Sequence, residues 1–194
     1  ASADKSAISV VSDYEPAIYA LAVLLARDGK ASEAETLLNG KISKMPKSAA
    51  VVAALAEVKS IQGDSTEAQQ LAKEALKKNP DYRPAMVTIA RDHYRKRRLD
   101  LALYTLKAIL DGHGEENPAR DKNNAEARLL RGLIYREQNN KAGAIDDFKR
   151  AVETRPDLVE ARIQLASYVL EAGNAFEAAN LLEGALKYDK NHVL

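Results

Sequence analysis

The side chains in this 194-residue sequence that could perform acid–base or metal chemistry are three histidines and one pair of adjacent aspartates. His93, His113 and His192 lie far apart, and none is spaced four residues from another histidine or a glutamate, as in zinc hydrolases. Asp146 and Asp147 would point in different directions on a helix. Cysteine is absent, and no phosphate loop or nucleophile elbow occurs. We therefore predict a non-enzyme with no catalytic residue, no cofactor and no metal site.

The composition favours a helical protein, and the charge balance does not point to a nucleic-acid partner. Hydrophobic residues make up 46% and aromatic residues 5%, a balance typical of helices rather than sheets. Lys and Arg total 29 against 28 Asp and Glu, and this near-neutral charge argues against a nucleic-acid partner. No apolar run is long enough for direct membrane insertion. Because cysteine is absent, the compartment stays open between the cytoplasm and the bacterial periplasm or outer-membrane surface.

The prolines reveal an internal period. Pro46 and Pro80 lie 34 residues apart, and Pro156 lies 76 beyond Pro80, which is two such periods plus eight. We expect 1–14 to be an N-terminal partial helix or cap, and 15–194 to be a single solenoid. The predicted repeats are 15–48, 49–82, 83–114, 125–158 and 159–192, with an insertion at 115–124.

Three positions within the repeat explain how each unit folds. The eighth and twentieth positions hold small residues, which let two helices pack closely. The fifteenth position holds glycine or asparagine in four repeats, as expected where a helix ends in the left-handed conformation. Each repeat should therefore be a helix–turn–helix. The three sets are Ala22, Ala56, Ala90, Gly132 and Ala166; Ala34, Ala68, Ala102, Ala144 and Ala178; and Gly29, Gly63, Asn139 and Gly173.

This pattern resembles the tetratricopeptide repeat family. Repeat 4 carries the family's residues at Gly132, Tyr135, Ala144, Phe148, Ala151 and Pro156. It departs from the family at Arg131, where leucine is usual, and repeat 3 lacks the closing proline. The resemblance implies an all-α, right-handed superhelical α-solenoid of five helix-turn-helix repeats. It also implies a protein–protein interaction scaffold or adaptor that binds a protein or peptide.

In this family the first helix of each repeat lines a concave groove that holds the partner. Positions that clamp a peptide carboxylate in some members are mostly apolar here, so we expect an extended apolar segment or an amphipathic helix instead. The alternative is that several of these side chains pack inside the protein. The predicted groove residues are Tyr19, Val23, Val87, Arg91, Tyr94, Arg95, Leu130, Leu133 and Ile163.

A basic patch, Arg95, Lys96, Arg97 and Arg98, lies near the end of the first helix of repeat 3. It is either a solvated helix end, where cations suit the helix dipole, or an anchor for an acidic partner segment. The insertion at 115–124 is either a tolerated bulge or a functional contact.

Two settings fit a scaffold of this kind. One is a bacterial envelope assembly, such as pilus, secretion or motility machinery. The alternative is a regulatory repeat segment of a larger multidomain enzyme or sensor. The last repeat lacks a polar cap, so we expect the chain to be a fragment of a longer protein.

Overall fold

A computed structural model describes residues 13–112 and 121–188, and within these ranges the chain forms ten α-helices. The helices follow one another in pairs, one pair for each predicted repeat, and a short turn joins the two helices of each pair. This confirms the predicted α-helical repeat fold. The helices are α1 (Glu15–Arg27), α2 (Ala31–Lys44), α3 (Ala49–Gln62), α4 (Ser65–Lys78), α5 (Arg83–Arg95), α6 (Leu99–Leu110), α7 (Ala125–Glu137), α8 (Lys141–Thr154), α9 (Val159–Glu171) and α10 (Ala175–Tyr188).

The helices are divided between two compact units, Ala1–Asp92 and His93–Leu194, with the boundary inside α5. In the first unit, α1 packs against α2 and α3, and α3 packs against α4. Ile18 and Leu38 are fully buried in its core, and the small Ala56 and Ala72 let the helices approach closely. The single solenoid domain predicted over 15–194 stays a prediction.

In the second unit, α7 packs against α6 and α8, and α9 packs against α8 and α10. Its core is built around Phe148, whose ring lies 6.2 Å from that of Tyr168 between ring centroids. Gly132 makes room for Phe148, because a Cβ atom on this glycine would lie 2.6 Å from Cε1 of the ring. Gly132 and Phe148 together fill the space that an alanine and a leucine share in other repeats, such as Ala22 and Leu38 in repeat 1.

The helix ends confirm the prediction for the fifteenth position. Gly29, Gly63 and Gly173 have φ between 78° and 89°, and Asn139 has φ 58°. In repeat 3, where the residue types carry no such signal, Arg97 takes the same left-handed conformation with φ 60°. Arginine in this region carries backbone strain, which the other four repeats avoid by placing glycine or asparagine at the fifteenth position.

Several predictions fall on residues that the structure does not describe. The N-terminal cap at 1–14 lies outside the described residues apart from its last two positions, as do His113, His192 and 115–120 of the insertion. The insertion's last residues are described, and the Asp121 amide donates to the Ile109 carbonyl at 2.8 Å. None of the described helices is both long and apolar enough to cross a membrane.

Candidate protein-interaction surface

The first helices of repeats 4 and 5, α7 and α9, present a partly open apolar strip in the second unit. Leu129 and Leu133 are half-buried at the edge of the Phe148 cluster, and Ile163 is half-buried on α9. Leu170 is 57% exposed on the last turn of α9. It occupies the twelfth position of repeat 5, one of the positions that line the groove in the family, but the sequence prediction did not include it. We define Leu129, Leu133, Ile163 and Leu170 as the apolar strip.

Polar side chains hold the two helices of this strip together. Arg136 on α7 donates a hydrogen bond to Gln164 on α9, and the Gln164 amide donates to Glu160 at 2.6 Å. At the exposed edge, Lys141 at the start of α8 pairs with Glu171 on α9 at 3.4 Å. Acidic and basic groups therefore alternate beside the strip, without one dominant sign.

The corresponding face of the first unit is more closed. The groove positions that α3 contributes are buried, because most are alanines shielded by neighbouring helices. Glu57 is also buried and accepts hydrogen bonds from Arg91 Nη1 at 2.6 Å and the Thr88 hydroxyl at 3.1 Å. This charged contact joins α3 to α5, which is a structural use for a residue at a groove position. The α3 positions are Ala50, Ala53, Ala54, Glu57 and Ser60.

The nine predicted groove residues differ in accessibility. Three are buried and could meet a partner only if the protein rearranged: Val23, Val87 and Leu130. Five are half-buried and one is exposed: Tyr19, Arg91, Tyr94, Leu133 and Ile163, and Arg95. Partner contact stays a prediction for all of them. The accessible members and Leu170 are the residues to test.

The four cations of the basic patch are all exposed, and Arg97 takes part in a contact with α7. Glu137 accepts hydrogen bonds from the Tyr94 hydroxyl at 2.7 Å and from Arg97 Nη1. The bond from Tyr94, with the charge of Arg97, lowers the pKa of Glu137. Burial and the nearby Glu137 carboxylate raise the pKa of Tyr94 to about 12. This contact links the ends of α5 and α7 inside the second unit.

A buried charged network lies behind the strip, between α7 and α8. Asp147 accepts hydrogen bonds from Arg128 Nη1 at 2.9 Å and from Arg131 at 2.7 and 2.9 Å. Arg131 also donates to Asp111 at 2.6 Å, and Arg128 donates to the Lys122 carbonyl. Although burial opposes it, the contact with Asp147 raises the pKa of Arg131. The network therefore fastens Asp111, which precedes the insertion, and Lys122, within its described end, to repeat 4.

The sequence identified Arg131 only as a departure from the family, and its hydrogen bonds to Asp147 and Asp111 were not predicted. The signal lies in aligning the repeats: the positions of Arg128, Arg131 and Asp147 are apolar in repeats 1 and 2. Those apolar residues are Ile18, Leu21 and Leu37 in repeat 1, and Val52, Leu55 and Leu71 in repeat 2.

Among the described residues, no group of three or more His, Asp or Glu side chains is arranged to hold a metal ion. Asp146 lies on the surface, where it pairs with Arg150 at 3.0 Å, and Asp147 is buried in the network. The two neighbouring carboxylates therefore point to different surroundings. They do not form a joint acid–base site.

Comparison with known proteins gives a family match and a shared fold. The family model described as Tetratricopeptide repeat matches residues 53–120 and 87–159, which together cover more than half of the chain. No curated protein sequence matches the chain.

Three solved structures that share this fold are distant from the chain in sequence. A thermophilic TPR protein from Thermus thermophilus is 23% identical with a TM-score of 0.68, covering 92% of this chain and 93% of that one. The pilF protein of Pseudomonas aeruginosa is 16% identical with a TM-score of 0.62, covering 90% and 76%. MamA 41-end from Desulfovibrio magneticus is 17% identical with a TM-score of 0.53, covering 95% and 100%.

Proposed function

The chain belongs to the tetratricopeptide repeat family and is a protein–protein interaction scaffold, and we propose that its apolar strip binds an amphipathic helix or an extended apolar segment of a partner. The observation that carries this proposal is Leu170, a leucine exposed at a groove position of α9, the helix that also carries the half-buried Ile163 seven residues earlier. An apolar side chain left in water is stabilised when a partner covers it.

The chemistry of the strip defines what fits there. Leu133, Ile163 and Leu170 offer aliphatic contact, and each side chain covered fully contributes about 1.5–3 kcal/mol, less for those already half-buried. Charges of both signs flank them, with Arg136 and Lys141 near Glu160 and Glu171. A partner segment with two or three apolar side chains on one face and mixed polar residues beside them matches this surface.

The test compares partner binding by the intact chain with that of a variant carrying Ile163→Glu and Leu170→Glu. Proteins captured from the source cell by the intact chain should be lost from the variant, because two carboxylates would have to be buried in the contact. The matched control is Ile145→Glu, which adds a charge at an exposed isoleucine on α8, outside the strip.

Circular dichroism of both variants should match that of the intact chain, since Ile163 and Leu170 are not core residues. Equal capture of the same proteins by the intact chain and the strip variant would contradict the proposal. Loss of capture by the Ile145→Glu control would also contradict it, because binding would then not depend on the strip.

For the cellular setting, we propose an assembly of the bacterial envelope. The support for this setting is the fold shared with the pilF protein of Pseudomonas aeruginosa. The partner captured through the strip should then be an envelope component, which mass spectrometry of the captured proteins would identify. Capture of cytoplasmic proteins alone would contradict this setting and leave the binding surface itself intact.

A further inference from the structure

The helix α1 has an apolar face that stays largely open in the described part of the chain. Leu24 is 57% exposed, and Tyr14, just before the helix, is 63% exposed. Ala17 is exposed and Leu21 is half-buried on the same side of the helix. Among the described helices, α1 packs against α2 and α3. We name Tyr14, Ala17, Leu21 and Leu24 the α1 face.

In the other repeats the same positions of the first helix are closed. Ala17, Leu21 and Leu24 are the third, seventh and tenth residues of repeat 1. Elsewhere the third and tenth residues are at most 9% exposed, and the seventh is buried or half-buried. Repeat 1 therefore has apolar residues of the usual kind without the usual cover from a described helix. The third residues are Val51, Ala85, Ala127 and Ala161, and the tenth residues are Val58, Asp92, Ile134 and Tyr168.

Within the chain, these positions are covered by the last turns of the second helix of the preceding repeat. Two alanine pairs that span such a junction each share a hydrophobic cluster, and both have a spacing of ten residues: Ala75 with Ala85, and Ala151 with Ala161. Three larger pairs do the same with a spacing of thirteen residues: Ile42 with Leu55, Leu76 with Ile89, and Val152 with Leu165. The two spacings therefore indicate how one repeat covers the next.

Both spacings recur before α1. Ala7 lies ten residues before Ala17, and Ile8 lies thirteen residues before Leu21. These two residues belong to 1–12, which lie outside the described residues. The sequence thus supplies a matching pair where α1 lacks a described cover. The same combination of an alanine and a larger aliphatic residue occurs at the equivalent positions of α4 and α8, as Ala75 and Leu76, and as Ala151 and Val152.

Residues 1–12 also have the two-sided pattern of a packed helix. On the period of an α-helix, apolar residues fall on one side and serine and lysine on the other, with Asp4 as the exception on the apolar side. A helix this short is marginal in water by itself, so it would depend on the α1 face for its stability. The apolar side holds Ala3, Ala7, Ile8, Val10 and Val11, and the polar side holds Ser2, Lys5, Ser6, Ser9 and Ser12.

We propose that residues 1–12 form a short helix that docks on the α1 face, with Ala7 against Ala17 and Ile8 against Leu21. Asp13 fixes the point from which the segment starts, since its carboxylate pairs with Lys41 on α2 at 3.0 Å. From there the segment can lie beside α1 as α4 lies beside α5 and α8 beside α9. The docked segment would close the core of the first unit at α1, a role separate from that of the apolar strip in the second unit.

Connectivity favours this occupant over a second copy of the chain. Helix α10 also carries an alanine and a leucine at the equivalent positions, Ala185 and Leu186, and Leu186 is 46% exposed. Helix α10 of another molecule would therefore offer similar contacts. It would lose translational and rotational freedom on binding, whereas residues 1–12 are already held beside α1 at a high effective concentration.

The absence of cysteine from the chain allows a direct test, because an introduced thiol is the only one that can react. Ala17→Cys places this thiol on the α1 face. The buried Val51 at the same position of repeat 2 shows that a side chain larger than alanine fits under a covering helix. Thr36→Cys is the reference, since its position is exposed in every repeat. Ala17→Cys should react with a maleimide about tenfold more slowly than Thr36→Cys, as for a face covered about nine-tenths of the time.

Variants of the segment test whether it is the cover. In the Ala17→Cys background, Ile8→Glu should raise the labelling rate to that of an exposed thiol, because a carboxylate would have to be buried against Leu21. Ser9→Glu is the matched control. It adds the same charge on the polar side of the segment and should leave the labelling slow.

Methyl NMR of the unsubstituted chain gives a second, independent measurement. A nuclear Overhauser contact should be seen between the methyl groups of Ile8 and Leu21. Ile42 and Leu55 have the same spacing and share a cluster of the first unit, so their contact is the positive control.

Four results would overturn the proposal. The first is equal labelling of Ala17→Cys and Thr36→Cys in the otherwise intact chain. The second is slow labelling of Ala17→Cys that Ile8→Glu does not change. The third is slow labelling that is lost on dilution, which would assign the α1 face to a second copy. The fourth is an NMR spectrum with the control contact but without the contact of Ile8 to Leu21. None of these results bears on binding by the apolar strip.

Discussion

Replacing Asp147 by asparagine should destabilise the second unit strongly, because it removes the one carboxylate that Arg128 and Arg131 share. Asp147 is 1% exposed, and it accepts three hydrogen bonds from these two guanidinium groups. Asparagine keeps the volume but has no charge, and its NH₂ group would face donors. Breaking a buried ion pair on one side costs about 3–5 kcal/mol.

That loss is large beside the total stability of such a unit. A folded domain of about a hundred residues has a free energy of unfolding of about 5–15 kcal/mol. Asp147→Asn should therefore remove about a fifth of it or more. Urea unfolding followed by circular dichroism should show the loss. Hydrogen exchange should locate it in α7 and α8, the helices that the network joins.

A triple variant supplies the complementary test. Arg128→Met, Arg131→Leu and Asp147→Leu introduce residue types found at these positions in other repeats, at Met86, Leu55 and Leu37. Replacing a whole buried ionic group with apolar residues of similar size is neutral or stabilises by about 1–4 kcal/mol. The reasoning fails if Asp147→Asn costs less than about 1 kcal/mol, or if the triple variant is less stable than the single one.

The remaining predictions concern packing, backbone strain and ionisation. Gly132→Ala should cost about 1–3 kcal/mol in urea unfolding, because its Cβ would press on the ring of Phe148, and adding Phe148→Leu should recover most of this loss. Arg97→Gly should be about 1 kcal/mol more stable than Arg97→Ala by thermal unfolding, since both lose the contact with Glu137 but only glycine relieves the positive φ. Burial, with the charge of Glu15, raises the pKa of Tyr82 to about 12 in the folded protein, whereas the pKa in the unfolded chain is about 10. The protonated phenol therefore contributes its full stability below about pH 10, and this contribution is lost as the pH rises toward 12. Tyr82→Phe should therefore unfold less readily between these pH values, and no change in the alkaline unfolding midpoint would count against the assignment.

The helix pairs could be predicted from sequence because the repeat imposes the same demand five times. Small residues at the eighth and twentieth positions are buried in the structure, as close helix packing requires. The left-handed conformation at the helix ends Gly63 and Asn139 could be predicted from residue type alone. Arg97 did not, because its conformation is imposed by the helix pair around it and not by its own preference.

The surface was harder to predict, because accessibility depends on neighbouring side chains that a single repeat does not contain. Val87 and Leu130 occupy repeat positions that line the groove in the family, yet both are buried. Leu170, at another of these groove positions, is exposed. Leu101 and Tyr104 could have been singled out by comparing repeats, since both differ from the residues at the same positions elsewhere. Whether those side chains would be exposed or covered required the structure.

The charged network on α7 and α8 has a consequence for how this sequence can evolve. An ancestor with apolar residues at 128, 131 and 147 could acquire the network only through forms that carry a buried charge without its partner. The same barrier opposes a return. In an alignment of relatives, these three positions should therefore vary together, as an all-apolar set or as an arginine–arginine–aspartate set, with mixed sets rare. The network would thus persist in a lineage because each single substitution away from it leaves a buried charge unpaired, even where the complete network adds nothing to stability.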